Sequence, residues 1–542
     1  MKKLGVALDL GTSGLRGQVI DLDTGQILKT AITARHPLPG ANVMDHLNYV
    51  IDAGMNTAHR ILLDAVNQVL DALGACGPEM ARLAVCGNPI QLSLFEGIEV
   101  RDLAYAGKRK KEAMGITAPD RNGRLVLAGR IEGLNIPATA EVVIPPAVAH
   151  EIGADALAMM LKSGMLERQE MALVTDYGTN AEMALKIGGH IITGSCAAGP
   201  ALEGQHIQSG MLAGPGAISD INPSGKNYTV SVLNHSMLSE TVVESDLITG
   251  IAQRVTAGSI KGITGTGVIA LIDQANSSGY IQLPGIKTSD HLLHLTDDVR
   301  FSEKDLSEAG KAIGAIRAGY IALSKAAGIE VEQIEVAYMA GASGTYVDAI
   351  KAQRIGLVPP SVRKVYQIGN TSLALAGDLV LKPEGLEELK KLAVSLRATH
   401  CMFGDYEPFS QAYLLELAYW DEGMPRDLYL RFSRKQGLSP LPEFSQKAEV
   451  VKWHKRDIPE LGTYGLTVIE RVGLERRHAF SGCLGCGVCT TVCPEKALSL
   501  EASDKEGFCL LLRFDLCNGT ACLRCERACP VKVYRFADLG VN

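Results

Sequence analysis

The sequence has 542 residues, of which 46% are hydrophobic, 21% charged and 5% aromatic, and its formal net charge is −7. This length predicts about three or four domains with room for large cores. The charge balance excludes a nucleic-acid partner, and the lack of any apolar stretch of about 18 residues excludes a membrane span. We expect no signal peptide, because Asp9 interrupts the first apolar run.

A β-hairpin is predicted at the N-terminus, with strands over 3–8 and 16–22 and a third strand over 26–33. Its loop is Asp9-Leu10-Gly11-Thr12-Ser13-Gly14. Glycines let backbone N–H groups approach phosphate oxygens, hydroxyls add donors, and an aspartate can hold Mg²⁺ through water. The sequence therefore predicts a phosphate site at Gly11, Thr12, Ser13 and Gly14, with Asp9 as a catalytic carboxylate. Taken alone, a purely structural turn explains such a loop more often.

The same plan recurs in the middle of the chain. An apolar segment over 172–175 precedes Asp176-Tyr177-Gly178-Thr179-Asn180-Ala181-Glu182, and strands over 181–187 and 190–193 follow. Asp9, Gly11 and Thr12 align with Asp176, Gly178 and Thr179 at a constant offset of 167 residues. A repeat at this distance predicts two similar half-domains, and the matched hairpins indicate a nucleotide clamped between them. Asp176 is thus a second catalytic candidate, and Gly178, Thr179 and Asn180 are nucleotide-binding candidates; no P-loop motif is present.

Two later glycine-rich segments bear on this predicted nucleotide site. Gly265 and Gly267 open an apolar helix, and a buried strand over 336–340 is predicted to end in the small-residue loop Gly341-Ala342-Ser343-Gly344. A flat adenine or ribose can approach the backbone of such a loop, although each segment alone is more typical of a packing turn. A helix predicted over 305–327 belongs to the core.

Residues 381–475 give weaker signals. An amphipathic helix is predicted over 384–397, and 438–443 is predicted to be a linker because its two prolines exclude a helix. Trp453 is interpreted as packed rather than partner-binding. Five cysteines lack ligand spacing, and a small, buried, apolar role is the default for Cys76, Cys86, Cys196, Cys401 and Cys509.

Nine of the 13 cysteines lie in the last 60 residues, and eight of them form two runs that each end in Cys-Pro. The runs are Cys483-x2-Cys486-x2-Cys489-x3-Cys493 and Cys517-x4-Cys522-x2-Cys525-x3-Cys529. In two-cluster ferredoxins, three cysteines of a run bind one [4Fe–4S] cluster and the fourth reaches the other cluster. This predicts one cluster on Cys483, Cys486, Cys489 and Cys529, and a second on Cys517, Cys522, Cys525 and Cys493.

Structural zinc is the alternative for these cysteines, since Cys-x2-Cys pairs also bind zinc. Zinc has no use for two Cys-x3-Cys-Pro endings, so the spacing favours an electron-transfer module. The x4 gap after Cys517, where the bacterial pattern has two residues, indicates a local insertion. Thiolate-bound iron requires a reducing compartment, which predicts a cytoplasmic location.

The loops together resemble the actin/Hsp70/sugar-kinase superfamily of ATPases. In that resemblance, 9–14 and 176–182 are the phosphate loops, 341–344 is the adenosine loop, and 262–267 is an interlobe connection. The first connecting helix is expected near 145–156, which makes Asp155 the candidate that positions the attacking water. An ordinary exposed acid near a helix start is an equally good explanation of Asp155.

Within the superfamily, four segments resemble the reductive activators of corrinoid proteins, namely 195–204 with its Ala-Gly-Pro-Ala-x-Glu-Gly stretch, 314–319, 354–357 and 368–371. The resemblance covers about residues 1–380. It implies that ATP with Mg²⁺ drives the return of Co(II) to Co(I) in the corrinoid protein of a mono-, di- or trimethylamine methyltransferase. An upstream low-potential donor would supply electrons through the two clusters.

The predicted fold is α/β, a two-lobed actin/Hsp70-like ATPase with duplicated half-domains and a small α+β ferredoxin-like domain. The expected bounds are lobe I at 1–171, lobe II at 172–380, a helical connecting region at 381–475 and the ferredoxin domain at 476–542. Three other functions stay open from the sequence: an activator of 2-hydroxyacyl-CoA dehydratase type, a small-molecule kinase with a redox-sensing tail, and a chaperone-like switch with a structural metal.

Overall fold

The computed structural model describes residues 3–105, 108–149, 151–254, 260–493, 495–502, 507–536 and 538. The chain divides into two compact units that are each discontinuous in sequence. Unit 1 comprises Met1–Ala154, Leu373–Lys390 and Glu460–Asn542, and unit 2 comprises Asp155–Ser372 and Lys391–Pro459. The sequence predicted four consecutive domains, and their bounds stay a prediction. The structure adds that segments from the C-terminal part of the chain belong to the same compact units as N-terminal segments.

The N-terminal stretch forms most of unit 1, apart from its last helix, whose residues from Asp155 onward belong to unit 2. Its strands and helices are β1 (Leu4–Leu10), β2 (Leu15–Asp21), β3 (Ile27–Thr33), α1 (Val43–Ala53), α2 (Met55–Leu73), β4 (Met80–Gly87), α3 (Pro89–Glu96), α4 (Arg101–Ala104), α5 (Lys108–Ala113), β5 (Arg124–Leu127), β6 (Glu141–Ile144) and α6 (Ala154–Lys162).

The middle stretch belongs to unit 2. Its elements are β7 (Ala172–Tyr177), β8 (Ala181–Ile187), β9 (His190–Cys196), β10 (Ala217–Ser224), β11 (Asn227–Leu233), β12 (Ser239–Asp246), β13 (Gly250–Arg254), β14 (Gly262–Ile263), α7 (Gly265–Ser277), β15 (Ile281–Gln282), β16 (Gly285–Ile286), β17 (Leu292–His294), β18 (Arg300–Ser302), α8 (Glu303–Ala327), β19 (Val336–Ala340), α9 (Gly341–Tyr346), α10 (Ala349–Arg354) and β20 (Lys364–Gly369).

The last stretch contributes to both units. Its elements are α11 (Thr371–Leu381), α12 (Leu386–Arg397), α13 (Glu407–Asp421), α14 (Arg426–Lys435), β21 (Glu449–Lys452), β22 (Leu466–Ile469), β23 (Glu475–His478), α15 (Val488–Thr491), β24 (Leu498–Ala502), β25 (Phe508–Arg513) and α16 (Arg524–Ala528).

The main sheets of the two units share a core of five strands, β3-β2-β1-β4-β6 in unit 1 and β9-β8-β7-β19-β20 in unit 2, and differ at their edges. In unit 1 the order is β22-β3-β2-β1-β4-β6-β5, and in unit 2 it is β21-β20-β19-β7-β8-β9. In both, the first strand pairs antiparallel with the second and parallel with the fourth, as β1 does with β2 and β4 and β7 does with β8 and β19. The duplicated half-domains predicted from the sequence are therefore present as one core topology used twice.

The strands and helices follow from local chemistry. Every residue of β1 is buried, as an apolar strand between neighbouring strands requires. Helix α8 starts in a capping box, in which Ser302 and Asp305 satisfy each other's backbone N–H groups, and it ends at Gly328 in the left-handed conformation. Its inner face lies in the apolar core of unit 2, as the sequence predicted.

Three features differ from the sequence predictions. The predicted loop after β19 is the short helix α9. The predicted linker over 438–443 is not helical but is part of the core, since Leu438 and Leu441 are buried and the Ser439 hydroxyl accepts a 2.8 Å hydrogen bond from the Val331 N–H. Residues 145–149 and 151–153, expected to belong to a helix, are irregular, and α6 starts only at Ala154.

The smaller predictions have mixed outcomes. Trp453 contacts Tyr366 edge-on with 6.1 Å between ring centroids, but it is 38% exposed and so is only partly packed. Of the unspaced cysteines, Cys86 and Cys196 are buried, whereas Cys76, Cys401 and Cys509 are partly exposed. No helix among the described residues has both the length and the apolar character needed to cross a membrane.

Candidate nucleotide and iron–sulfur sites

The first hairpin loop lies at the carboxyl end of β1 in unit 1. Asp9 is 5% exposed, and its Oδ2 lies 3.5 Å from Nη1 of Arg16, the residue opposite it on β2. Gly11 and Gly14 face each other across the turn, where a Cβ on Gly11 would lie 3.0 Å from the Gly14 oxygen. The loop thus presents backbone amides and the Thr12 and Ser13 hydroxyls at one end of the sheet.

The neighbouring strand β4 braces this loop. Asn88, which caps α3, also donates from Nδ2 to the Thr12 hydroxyl at 3.2 Å. Gly153 packs on the same strand end, where a Cβ would lie 2.8 Å from the Gly87 oxygen. Because β1 and β4 are parallel, their carboxyl ends meet at one edge of the sheet. Sequence reasoning missed Asn88.

The second hairpin loop lies at the carboxyl end of β7 in unit 2. Asp176 is opposite Glu182 on β8. The Ser195 hydroxyl donates a hydrogen bond to Glu182 Oε1 at 3.5 Å. The Thr179 hydroxyl, which is buried, donates to the Glu203 carboxylate, and the Thr179 oxygen accepts from the Gly199 N–H at 2.9 Å. Gly178 and Asn180 complete the turn and are partly exposed.

The predicted adenosine segment lies beside this second loop. Gly341 has φ +79°, and a Cβ there would overlap Asp176 Oδ1. The Ser343 hydroxyl donates to the Leu202 oxygen at 3.2 Å, next to Glu203. Ala342 and Ser343 are partly exposed, and Gly344 is buried against Met339. Unit 2 therefore brings Asp176, Thr179 and the start of α9 together.

The other three predicted positions, Gly265, Gly267 and Asp155, make contacts within the fold. A Cβ on Gly265 would overlap the Leu202 oxygen, and the Gly267 N–H donates to the Thr264 hydroxyl at 3.1 Å, so both glycines pack at the start of α7. Asp155 is in the first turn of α6, where its Oδ1 accepts from the Ala156 N–H at 2.8 Å. Nucleotide contacts at these three residues stay predictions.

The cysteines of the second run surround one cavity in unit 1. Four predicted ligands line it: Cys493, Cys517, Cys522 and Cys525. The Ala497 N–H donates to Cys493 Sγ and the Gly519 N–H donates to Cys517 Sγ, both at 3.3 Å. Such N–H···S bonds stabilise thiolates that bind iron. The structure thus places the last cysteine of the first run among the first three of the second.

The thiols differ in their electrostatics. Burial raises the pKa of Cys517 to about 12, so this thiol ionises near neutral pH only if a cation compensates the charge. Burial also raises the pKa of Cys525 and of Cys489. At Cys529 burial acts in the same direction, but backbone N–H groups of 531–534 outweigh it and leave the pKa lowered. These environments fit thiolate ligands of a cationic iron–sulfur core.

The first run is more open than the second. Cys486 is exposed, and Cys483 and Cys489 are partly exposed. The second run instead packs on the N-terminal part of unit 1: the Gly40 N–H donates to the Cys517 oxygen at 2.8 Å, and Tyr49 packs edge-on against Phe514 at 5.9 Å. Pro494 lies outside the described residues. Across the described residues, no three ligand side chains converge closely enough to hold a single metal ion.

A repeated sheet with an Asp-x-Gly-Thr hairpin in each copy, joined to a cysteine-rich tail, defines an actin-like ATPase with an iron–sulfur domain. Three family models match this division: "RACo middle region" over 4–168, "C-terminal domain of RACo the ASKHA domain" over 170–428, and "4Fe-4S dicluster domain" over 482–533. The chain belongs to the family of reductive activators of corrinoid proteins.

Three known proteins illustrate the similarity. The "[Co(II) methylated amine-specific corrinoid protein] reductase" of Methanosarcina barkeri is 46% identical over 504 residues, which cover 92% of each chain. The "Corrinoid activation enzyme RamQ" of Eubacterium limosum is 26% identical over 78% of this chain and 71% of its own. The solved "Reductive activator for corrinoid,iron-sulfur protein" matches 77% of this chain and 66% of its own with a TM-score of 0.64 at 24% identity, a likeness of fold.

Glu203 is the residue that sequence reasoning should have included. It lies in the Ala-Gly-Pro-Ala-x-Glu-Gly stretch, which the sequence already indicated as a family segment, and it binds Thr179 of the second loop. The buried phenol of Tyr534 was also missed. Its hydroxyl interacts with the Cys525 thiol, one of the predicted cluster ligands.

Proposed function

We propose that the chain is an ATP-dependent reductase that returns the Co(II) form of a methylamine-specific corrinoid protein to Co(I). The observation that carries the proposal is the combination of two phosphate-type hairpins with a cysteine-lined cluster cavity, in a chain 46% identical to a reductase of that description. In each turnover one reduced cluster loses one electron and one Co(II) gains it.

ATP is the energy source in this proposal. A one-electron transfer that is uphill by 59 mV costs about 1.4 kcal/mol, so a gap of a few hundred millivolts needs external energy. Two conformations that differ in their affinity for ATP or its products can supply that energy. Asp9 and Asp176 would hold Mg²⁺ through water, and the amides of Gly11–Gly14 and Gly178–Asn180 would bind phosphate oxygens.

The tail would carry the electrons. We infer two [4Fe–4S] clusters, one on Cys483, Cys486, Cys489 and Cys529 and one on Cys517, Cys522, Cys525 and Cys493. Cys486 is exposed, which supports an encounter with an outside redox partner at the first cluster, whereas Cys517 is only partly exposed. A low-potential protein donor would reduce the clusters, and such clusters imply a reducing compartment, the cytoplasm.

The test is anaerobic spectroscopy of a Co(II) corrinoid protein mixed with full-length protein and a strong reductant. We expect the Co(I) absorption band with ATP and not without it. Asp176→Ala and Cys517→Ser should each abolish the band, because one removes ATP use and the other the electron path. The exposed Asp298→Ala and the non-ligand Cys509→Ser are matched controls and should keep it.

Metal analysis supplies the second arm. About eight iron and eight sulfide per chain are expected from the doubled ferredoxin spacing. Equal Co(I) yields with and without ATP would refute the coupling, and stoichiometric zinc without iron would refute electron transfer. Rapid phosphorylation of a sugar or acid instead would favour the kinase alternative.

A further inference from the structure

Unit 2 contains a cavity of about 300 Å³ that none of the predicted nucleotide residues lines. Residues of α7, α8, α13 and the 438–444 segment enclose it, and three arginines face it: Arg317, Arg354 and Arg426. Arg317 lies in 314–319 and Arg354 in 354–357, two of the segments that resemble corrinoid-protein activators. The proposed reaction uses neither arginine.

Arg317 is the centre of this cavity wall. It is 3% exposed and lies over the rings of Tyr419, Trp420 and Tyr429, at 5.1–5.9 Å from their centroids. Its Nε lies 3.1 Å from Glu416 Oε2, and the two side chains form a buried ion pair. Glu416 supplies one counter-charge to the buried guanidinium, and an anion in the cavity would supply further acceptors.

The other two arginines also keep donors for the cavity. Arg354 uses Nε and Nη2 on Asp273, and its remaining nitrogen makes no hydrogen bond to the described residues. Arg426 donates from Nη2 to the Leu441 oxygen at 3.2 Å, while its buried Nε makes an ion-pair contact but no hydrogen bond within the described residues. The ion pair joins Arg426 Nε to Glu443 Oε1 at 3.4 Å. Because the Glu443 side chain is 80% exposed, solvent screens this interaction.

The rest of the wall is apolar or aromatic. Ile272, Ile281, Leu283 and Phe444 line it. Trp420 is also in the wall, and its indole N–H interacts with the Glu416 carboxylate. Gly356 has φ +79°, and a Cβ there would lie 3.5 Å from Arg317, so the backbone turns closely around the guanidinium. A ligand with both oxygen acceptors and a flat apolar body would match this wall.

We propose that this cavity binds a small organic anion, a carboxylate or phosphate on a flat apolar body, with its oxygens between Arg317, Arg354 and Arg426. The site is separate from the proposed nucleotide and cluster sites and does not depend on the proposed reaction. Planar guanidinium groups bind both carboxylate and phosphate oxygens, so the two anion types are distinguished by experiment.

The test is calorimetric titration of full-length, cluster-loaded protein with benzoate, phenyl phosphate, inorganic phosphate and benzyl alcohol. We expect one site per chain for benzoate or phenyl phosphate, whichever anion the cavity takes. Benzyl alcohol and inorganic phosphate should bind at least about tenfold more weakly, because each lacks one half of the match. Equal affinity for inorganic phosphate, or no binding of either aromatic anion, would overturn the proposal.

Variants locate the site. Arg426→Gln and Arg354→Gln should each weaken binding about tenfold, and Arg431→Gln, an exposed control on the same helix α14, should not change it. Arg317 itself is too buried to be a safe first target. In a Trp453→Phe background Trp420 is the remaining tryptophan, so the bound ligand should shift its fluorescence. Binding that is unaffected by both arginine variants would place the anion elsewhere and overturn the assignment.

Discussion

The β1–β2 hairpin of unit 1 and the β7–β8 hairpin of unit 2 share the Asp-x-Gly-Thr sequence, but their pairing registers differ by one residue, since Leu10 pairs with Leu15 whereas Tyr177 pairs with Ala181. Their polar partners differ as well. In the first, Asp9 lies near Arg16 and Thr12 accepts from an asparagine. In the second, Asp176 lies under Gly341 and Thr179 donates to Glu203. The duplication thus preserves the strand pairing of the two hairpins but not the length of the turn, and the polar partners of each loop are its own.

The partners also differ in charge. The first loop has a cation beside its carboxylate, which can balance the charge of Asp9 without a metal. The second loop has a second carboxylate nearby, that of Glu203, which contacts Thr179. Carboxylates are the side chains that commonly bind Mg²⁺. We therefore expect the second loop to depend more on Mg²⁺ than the first, and the predictions below test that difference.

The largest effect is expected from the aspartates. Asp176→Ala should lower ATP hydrolysis about 100-fold or more, and Asp9→Ala should lower it by at least about tenfold, since each loses a metal-positioning carboxylate. Initial-rate assays at several Mg²⁺ concentrations measure this, with iron content as the check on the clusters. Asp23→Ala, an exposed change on the β2–β3 turn, is the control. Wild-type rates in both variants would contradict the loop assignment.

A smaller loss of activity is expected from Glu203→Gln. The amide still accepts from Thr179 but carries no charge, so we expect about a tenfold lower ATPase rate and a higher Mg²⁺ requirement. Titrating the rate with Mg²⁺ separates the two effects. An unchanged Mg²⁺ requirement would make Glu203 a support of the loop and remove the proposed difference between the hairpins.

Much of the fold was predictable because its signals are local. Residue alternation predicted the first three strands of each sheet, and helical periodicity predicted most of α8. Cysteine spacing predicted the grouping of Cys493 with the second run. Long-range features were not predictable. The edge strands β21 and β22 pair with strands far away in sequence, and no local pattern encodes such pairing.

The errors have physical causes as well. The segment Gly341–Tyr346 was predicted as a loop because glycine and serine have low helix propensity, and tertiary packing overrides that preference. The prolines of 438–443 correctly excluded a helix but carry no information on burial. Glu203 was missed because a lone carboxylate has no spacing partner, and only the fold places it beside Thr179.

The next prediction concerns the free energy of unfolding of unit 2, where Gly341 packs against Asp176 of the second hairpin. Gly341→Ala should destabilise unit 2 by about 2 kcal/mol or more, since it adds a left-handed backbone cost to an overlap with Asp176. Gly188→Ala is the matched control: its φ is also positive, at +56°, but its Cβ would meet nothing within 4 Å, so about 1 kcal/mol is expected. Differential scanning calorimetry gives both values. Equal shifts in Tm would show that Asp176 yields to the added methyl group.

The smallest effect is expected at the first loop. Asn88→Ala removes the 3.2 Å hydrogen bond to Thr12 and the cap of α3, which should cost about 1 kcal/mol of stability and a few-fold in ATPase rate. Thermal unfolding and initial rates measure the two losses. Asn88→Asp keeps the cap and changes only the contact with Thr12, so a rate loss in Asn88→Asp with stability retained would assign a functional role to that contact.

The late edge strand β22 has a consequence for how the protein is made. It pairs in parallel with β3, so the ribosome must finish the chain from Thr33 to Leu466 before the N-terminal sheet gains its last neighbour. Throughout that interval β3 presents unpaired backbone groups, the kind of edge on which nascent chains aggregate. Truncated versions for expression should therefore keep residues 460–470, and the intact chain should need chaperone protection until synthesis is nearly complete.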